Sequence, residues 1–189
     1  VYVSKNYNKN ASKKQVKQKQ VKQKAVKQKA PHMRILGIDP GSHRVGYGLL
    51  DCQHGSFSVA GFGVIEAPPK SPASVCLSTI YSDLKELLGM YQPEVVAIEQ
   101  LFFFRNVTTV MPVAQARGVM LLALAQAELE VTEYTPLQVK MGLTGYGRAS
   151  KREVQEAVTQ WLGLEKIPKP DDAADGLAIA LCHAHQIGF

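Results

Sequence analysis

The chain predicts an α/β fold, a mixed five-stranded sheet flanked by helices, over residues 33–189, and three observations carry the prediction. Three β-like segments follow one another with turn chemistry between them, two further apolar strands alternate with helical stretches, and amphipathic helices close the sequence. The first segment, 34–39, is the apolar run Arg34-Ile35-Leu36-Gly37-Ile38 ended by Asp39. The second and third span 45–51 and 56–66. Asp-Pro-Gly-Ser and Cys-Gln-His-Gly separate the three, which makes them an antiparallel meander. Pro68, Pro69 and Pro72 end it. A helix is expected over 74–90, with Val75, Ile80, Leu84, Leu87 and Leu88 as its apolar stripe and Gly89 near its end.

Pro93 then introduces the strand 95–99, Val95-Val96-Ala97-Ile98-Glu99. Residues 107–129 are Ala-rich and helical in propensity despite Pro112, and a short strand follows at 131–134. The remainder reads as a short helix at 136–141, a glycine-rich loop from Gly142 to Gly147, and helices at 150–162 and 171–187. No internal repeat is present after Met33. The order in which the strands pair does not follow from the sequence.

Residues 1–30 hold ten Lys and no acid, with a repeat of Val-Lys-Gln-Lys marked by Val16, Val21 and Val26. So polar a segment buries too little surface to offset the entropy of ordering, and it is expected to be disordered. Pro31-His32-Met33 resembles a cloning junction, which makes residues 1–32 an expression tag and Met33 the natural start; a native basic arm for nucleic acid is the competing reading. The whole chain is formally +6, but residues 33–189 carry twelve basic against sixteen acidic side chains, a net of −4. The basic excess therefore belongs to the tail. The remaining 157 residues suit one domain. No apolar run reaches the roughly 18 residues of a membrane span, and the body is expected to be cytosolic. Cys52, Cys76 and Cys182 are odd in number and outside any metal spacing, so they read as reduced thiols.

Four acids stand where the fold can gather them. Asp39 and Glu99 each end an apolar strand, and Asp172 and Asp175 are three apart in a helical stretch and share a face. Ala174, Leu177, Ala178 and Leu181 form the stripe that anchors that helix. Spacing alone leaves Asp171 and Asp175 as a competing pair, with Asp171 also a candidate N-cap. Singly, each acid has a bland explanation, since Asp before Pro-Gly is commonly a turn residue and acids at a helix start complement its dipole. Glu99 fits no such explanation, closing four apolar residues and preceding Gln100-Leu101-Phe102-Phe103-Phe104. If all four converge, their mutual repulsion calls for divalent cations. Two Mg²⁺ ions roughly 3.5–4 Å apart would clamp the attacking and leaving oxygens of a phosphodiester. An all-oxygen ligand set favours Mg²⁺ or Mn²⁺ over Zn²⁺.

These segments resemble the RuvC family of Holliday-junction resolvases over essentially all of 33–189. The likeness is carried by Gly37-Ile38-Asp39-Pro40-Gly41-Ser42 followed by Gly46-Tyr47-Gly48, by Ala97-Ile98-Glu99-Gln100, Gln115-Ala116-Arg117-Gly118 and Gln138-Val139-Lys140, and by Asp172-Ala173-Ala174-Asp175 before Leu177-Ala178-Ile179-Ala180. The resemblance implies an RNase H-like fold and Asp172 as ligand in preference to Asp171. It also implies a Mg²⁺-dependent homodimer that cuts two strands of a four-way DNA junction, leaving 5′-phosphate and 3′-hydroxyl ends, with the RuvA-RuvB branch-migration complex as a partner.

One acid constellation per chain and two symmetric nicks per junction agree with a two-fold dimer. The stretch 107–129, apolar around much of its circumference, is the expected interface; a fully buried central helix is the alternative. Because the body is acidic, DNA contact must come from local patches. Lys140, Arg148, Lys151 and Arg152 flank the glycine-rich stretch, and Arg105 follows Glu99. By resemblance Lys140 and Lys151 belong to the DNA-binding and catalytic surface, and Phe102 to the crossover, where it would stack on a base. His183 and His185 lie too far along the last helix from Asp175 to share its ion. Trp161 is expected in core packing and Tyr146 as a loop anchor. A nuclease acting on structured RNA would keep the same acids and is the competing function. An ATPase of the actin or sugar-kinase type shares the Gly-Ile-Asp-Pro-Gly-Ser turn but needs a second phosphate loop, which the body is too short to hold.

Overall fold

The computed structural model describes residues 32–101 and 107–189. Their elements run β1 (His32–Asp39), β2 (Arg44–Gln53), β3 (Ser56–Glu66), α1 (Ala73–Tyr91), β4 (Val95–Glu99), α2 (Val107–Gln126), β5 (Glu130–Tyr134), α3 (Pro136–Thr144), α4 (Lys151–Trp161) and α5 (Asp171–Gln186). The sheet order is β3-β2-β1-β4-β5. β1, β2 and β3 form the expected antiparallel meander, whereas β4 lies parallel to β1 and β5 parallel to β4. Parallel neighbours need crossovers, and α1 and α2 supply them.

Side-chain alternation divides the core in two. Leu36, Ile38, Val45, Leu49, Val96 and Ile98 pack with Ile80 and Leu84 of α1 and Met120 and Leu124 of α2. On the opposite face Ile35, Leu50 and Ala97 meet Leu177, Ala178 and Leu181 of α5, with Val139, Leu143 and Val158 of α3 and α4 filling behind. α5 is buried along nearly its whole length, from Ala173 to Ala184 apart from the half-buried Asp175.

Several boundaries differ from the sequence-based expectation. The first strand starts at His32, which pairs with Gln53, one residue before Met33. α1 buries Cys76 in place of Val75, which is exposed; Cys76, Ile80, Leu84, Leu87 and Leu88 are the true stripe. α2 stops at Gln126, because Glu128 takes a left-handed conformation (φ 55°) and the amide of Leu129 donates back to the Leu124 carbonyl. The first half of the glycine-rich stretch, Gly142 to Thr144, is helical. A capping box of Thr135 and Gln138 starts α3, buried Leu143 holds it down, and Gly145 (φ 71°) ends it, so Gly142 belongs to the helix.

Candidate active site

Strand parity explains why two of the acids meet. In β1, Leu36 and Ile38 face α1 and α2, which leaves Ile35, Gly37 and Asp39 on the α5 face; in β4, Val96 and Ile98 face one way and Ala97 and Glu99 the other. Gly37 pairs with Ala97 and Ile38 with Ile98. Asp39 and Glu99 therefore emerge side by side at the carboxyl ends of adjacent parallel strands.

The other two acids are brought in by the close approach of α5. A Cβ at Gly46 of β2 would lie 1.9 Å from the Asp172 carbonyl oxygen, and one at Gly37 of β1 would lie 2.2 Å from that of Gly176. Backbone thus rests directly on backbone, and the first turn of α5 is set over the ends of β1 and β2. Asp39, Asp172 and Asp175 each place one oxygen within 4.8 Å of the others. Asp171 turns away to an ion pair with Lys169 at 2.6 Å, and no side chain caps the helix. The choice that spacing left open falls on Asp172.

Burial pushes the Asp39 carboxyl up to about 8, and the neighbouring Glu99 and Asp175 add to it. Burial also raises Glu99 and Asp175, although the Lys151 hydrogen bond pulls Asp175 back. Folding has gathered more negative charge than these side chains can offset among themselves. The donors are all carboxylate oxygens, converging and short of positive charge, which fits a hard divalent cation and does not fit a soft one.

A cleft opens beside the acids, lined by Asp39, Glu99 and Asp175 with Lys140 and Lys151. A capping box of Ser150 and Glu153 fixes the start of α4, and Lys151 reaches from its first position to Asp175 Oδ2 at 2.8 Å. Burial is the largest single influence and works against the Lys151 charge, but the hydrogen bond to Asp175 and the charges of Asp175, Asp171 and Asp172 together outweigh it and the net shift is upward. Arg148 is exposed beyond the cleft, and Arg152 pairs with Glu156 at 2.8 Å one turn along α4. Phe102 and Arg105 lie outside the described residues, as do Phe103 and Phe104.

Arg44 escaped the sequence reading. Its Nε stands 3.2 Å from Asp172 Oδ2 and 3.5 Å from Glu66 Oε1. Only the pairing of β2 with β3 and the docking of α5 bring these three together. His183 is buried in a 2.8 Å hydrogen bond with the Tyr134 hydroxyl, and His185 packs between Phe57 and Trp161, so neither joins the acids. Trp161 is 52% exposed, contrary to the expected core position; its indole N–H donates to the Leu143 carbonyl. Tyr146 has an exposed ring and is anchored through its backbone to the Thr144 hydroxyl. All three cysteines are free and buried, and burial raises the thiols of Cys52 and Cys182 to about 11.

A family model described as crossover junction endodeoxyribonuclease RuvC matches residues 35–183. The proteins of that description from Heliobacterium modesticaldum and Fusobacterium nucleatum are 51% and 48% identical over 155 and 156 residues, covering 82% of this chain and 96% and 82% of theirs. Among solved structures, Thermus thermophilus RuvC superposes with a TM-score of 0.76 at 36% identity, over 82% of this chain and 97% of that one. The same protein in complex with Holliday junction substrate gives 0.78 at 37%, over 82% and 95%.

Proposed function

The chain belongs to the RuvC family of crossover junction endodeoxyribonucleases, and from that premise we propose that it resolves four-way DNA junctions by paired symmetric nicks, hydrolysing each phosphodiester at two Mg²⁺ ions. The observation that carries the reading is the cradle itself: one oxygen each of Asp39, Asp172 and Asp175 within 4.8 Å of the others, with Glu99 beside Asp39 and two lysines in the adjoining cleft. The relative captured with a Holliday junction supports the substrate. Asp39 would be the ligand shared by both ions, with Glu99, Asp172 and Asp175 completing their shells. Bound there, divalent cations activate water and offset charge on the reacting phosphate.

The side chains do the rest. Lys151 places positive charge where the phosphate becomes more negative, and its bond to Asp175 keeps that ammonium aimed into the cleft. Lys140, which also lines the cleft, holds the strand. Arg148 and Arg152 are phosphate contacts outside the cleft, Arg105 is a further phosphate contact, and Phe102 stacks on a base at the crossover. The exposed side of α2 joins two copies so that the cuts fall in opposed strands. The RuvA-RuvB complex delivers the junction, and its chromosomal substrate places the enzyme in the cytoplasm.

The test uses a labelled four-way junction, a linear duplex and an RNA hairpin, each with and without Mg²⁺. Paired nicks in the junction alone, and only with Mg²⁺, are expected. Cleavage of the hairpin at a comparable rate would replace the DNA reading with the RNA one. Asp39→Asn is expected to bind the junction as the parent does and to nick it at least about a thousandfold more slowly. Equal loss of binding and nicking would deny Asp39 a catalytic role.

A further inference from the structure

Each of the four acids has a partner among the described residues. Asp39 and Glu99 hold each other, and Asp175 holds Lys151. Asp172, 35% exposed in the first turn of α5, has Arg44. Arg44 opens β2 directly across the ladder from Glu66, which ends β3, and its guanidinium stands between the Glu66 and Asp172 carboxylates. Two residues along the same strand, the backbone of Gly46 touches the Asp172 carbonyl. The end of β2 thus grips Asp172 twice, by main chain and by side chain.

We propose that Arg44 is a positioning residue for the cutting reaction: braced by Glu66, it fixes the Asp172 carboxylate so that the oxygen turned to the cradle is ready for a divalent cation. The inference rests on the reading of the acids as cation ligands. An aspartate at an exposed helix start turns freely about two bonds, and ordering it on cation binding costs affinity unless a neighbour has already ordered it. Hydrogen-bonding and ionic partners behind metal ligands typically contribute tenfold to a hundredfold in affinity. Arginine suits the task because its planar group spans two carboxylates at once.

The test is Mn²⁺ uptake by the full chain without DNA, read from the electron paramagnetic resonance of free Mn²⁺. Arg44→Ala is expected to weaken uptake about tenfold, Glu66→Gln about twofold to threefold, and Arg44→Lys to recover part of the loss. The Mg²⁺ concentration for half-maximal nicking should rise by the same factors, with the rate largely regained at high Mg²⁺. Junction binding without divalent cation should be unchanged, and melting curves should show folded protein. Unchanged or tighter Mn²⁺ uptake in Arg44→Ala would overturn the proposal. So would weaker junction binding with normal uptake, which would make Arg44 a phosphate contact. No uptake by the parent chain would instead sink the cation reading of the acids, and Asp39→Asn, expected to abolish uptake, tells the two failures apart.

Discussion

Buried at the end of β1 with Glu99 beside it, Asp39 keeps its proton until about pH 8 in the absence of metal. A carboxyl whose pKa is higher in the folded chain than in the unfolded one stabilises the fold while protonated, and that contribution is lost as the pH rises through the folded value. The buried His183, held below its ordinary range by burial, acts in the opposite direction but only at lower pH. Between about pH 4 and 8, and most cleanly above the range in which His183 titrates, the metal-free protein should therefore melt at progressively lower temperature, levelling off beyond about pH 8. Mg²⁺ should remove most of that slope, and so should Asp39→Asn; a flat profile in the parent would mean that the acids are not crowded as described. For Lys151→Ala we expect nicking slower by about tenfold to a hundredfold with junction binding and oligomeric state intact, and an unchanged rate would take it out of the site. The acids were readable because each sits at a strand end or a helix start, where the local pattern alone makes it conspicuous. Arg44 was not, because its meaning depends on a strand pairing and a helix docking that no local pattern encodes.

α5 is positioned by the absence of side chains on the strands beneath it. Gly37, Gly46 and Gly48 leave no room for a Cβ under the helix, with Gly176 facing them from above. Gly46→Ala would set a methyl 1.9 Å from the Asp172 carbonyl, and neither strand nor helix backbone can yield cheaply. We expect a loss of about 1–3 kcal/mol in urea unfolding and a far larger proportional loss of nicking, because lifting α5 by a fraction of an ångström separates Asp172 and Asp175 from Asp39. Gly89→Ala in α1, where nothing lies within 4 Å, should instead stabilise by about 0.5–1 kcal/mol. Periodicity predicted nearly every element, since alternation and helical stripes are local. It misplaced the end of α3, where a capping box and the buried Leu143 carry the helix through Gly142, and it could not say why Gly46 and Gly48 matter, because their neighbours lie more than a hundred residues away.

Across the whole molecule, α2 divides its apolar residues between the core and solvent. Ala116, Met120, Ala123 and Leu124 are buried, while Met111, Gln115, Gly118 and Leu122 form an exposed stripe on the other side, Met111 and Leu122 at 60% and 53%. A fully buried central helix is thus excluded, and the exposed face is the one that would meet a second copy. Leu122→Glu should give a monomer in sedimentation, with the folded fraction unchanged and junctions nicked in one strand at a time. An unaltered dimer would move the interface elsewhere. Quaternary structure was the least readable level: a hydrophobic helix announces burial but not what buries it, and the net charge of −4 after Met33 hides the basic cleft wall.

Of the four gathered acids, Asp39 and Glu99 come from β1 and β4 and the other two from α5, which begins at residue 171. A nascent polypeptide still inside the ribosome past residue 170, or a proteolytic fragment cut before it, owns only Asp39 and Glu99, and one sheet face lies bare. Such a product is harmless to the chromosome, so this nuclease is armed only after its sheet has been capped.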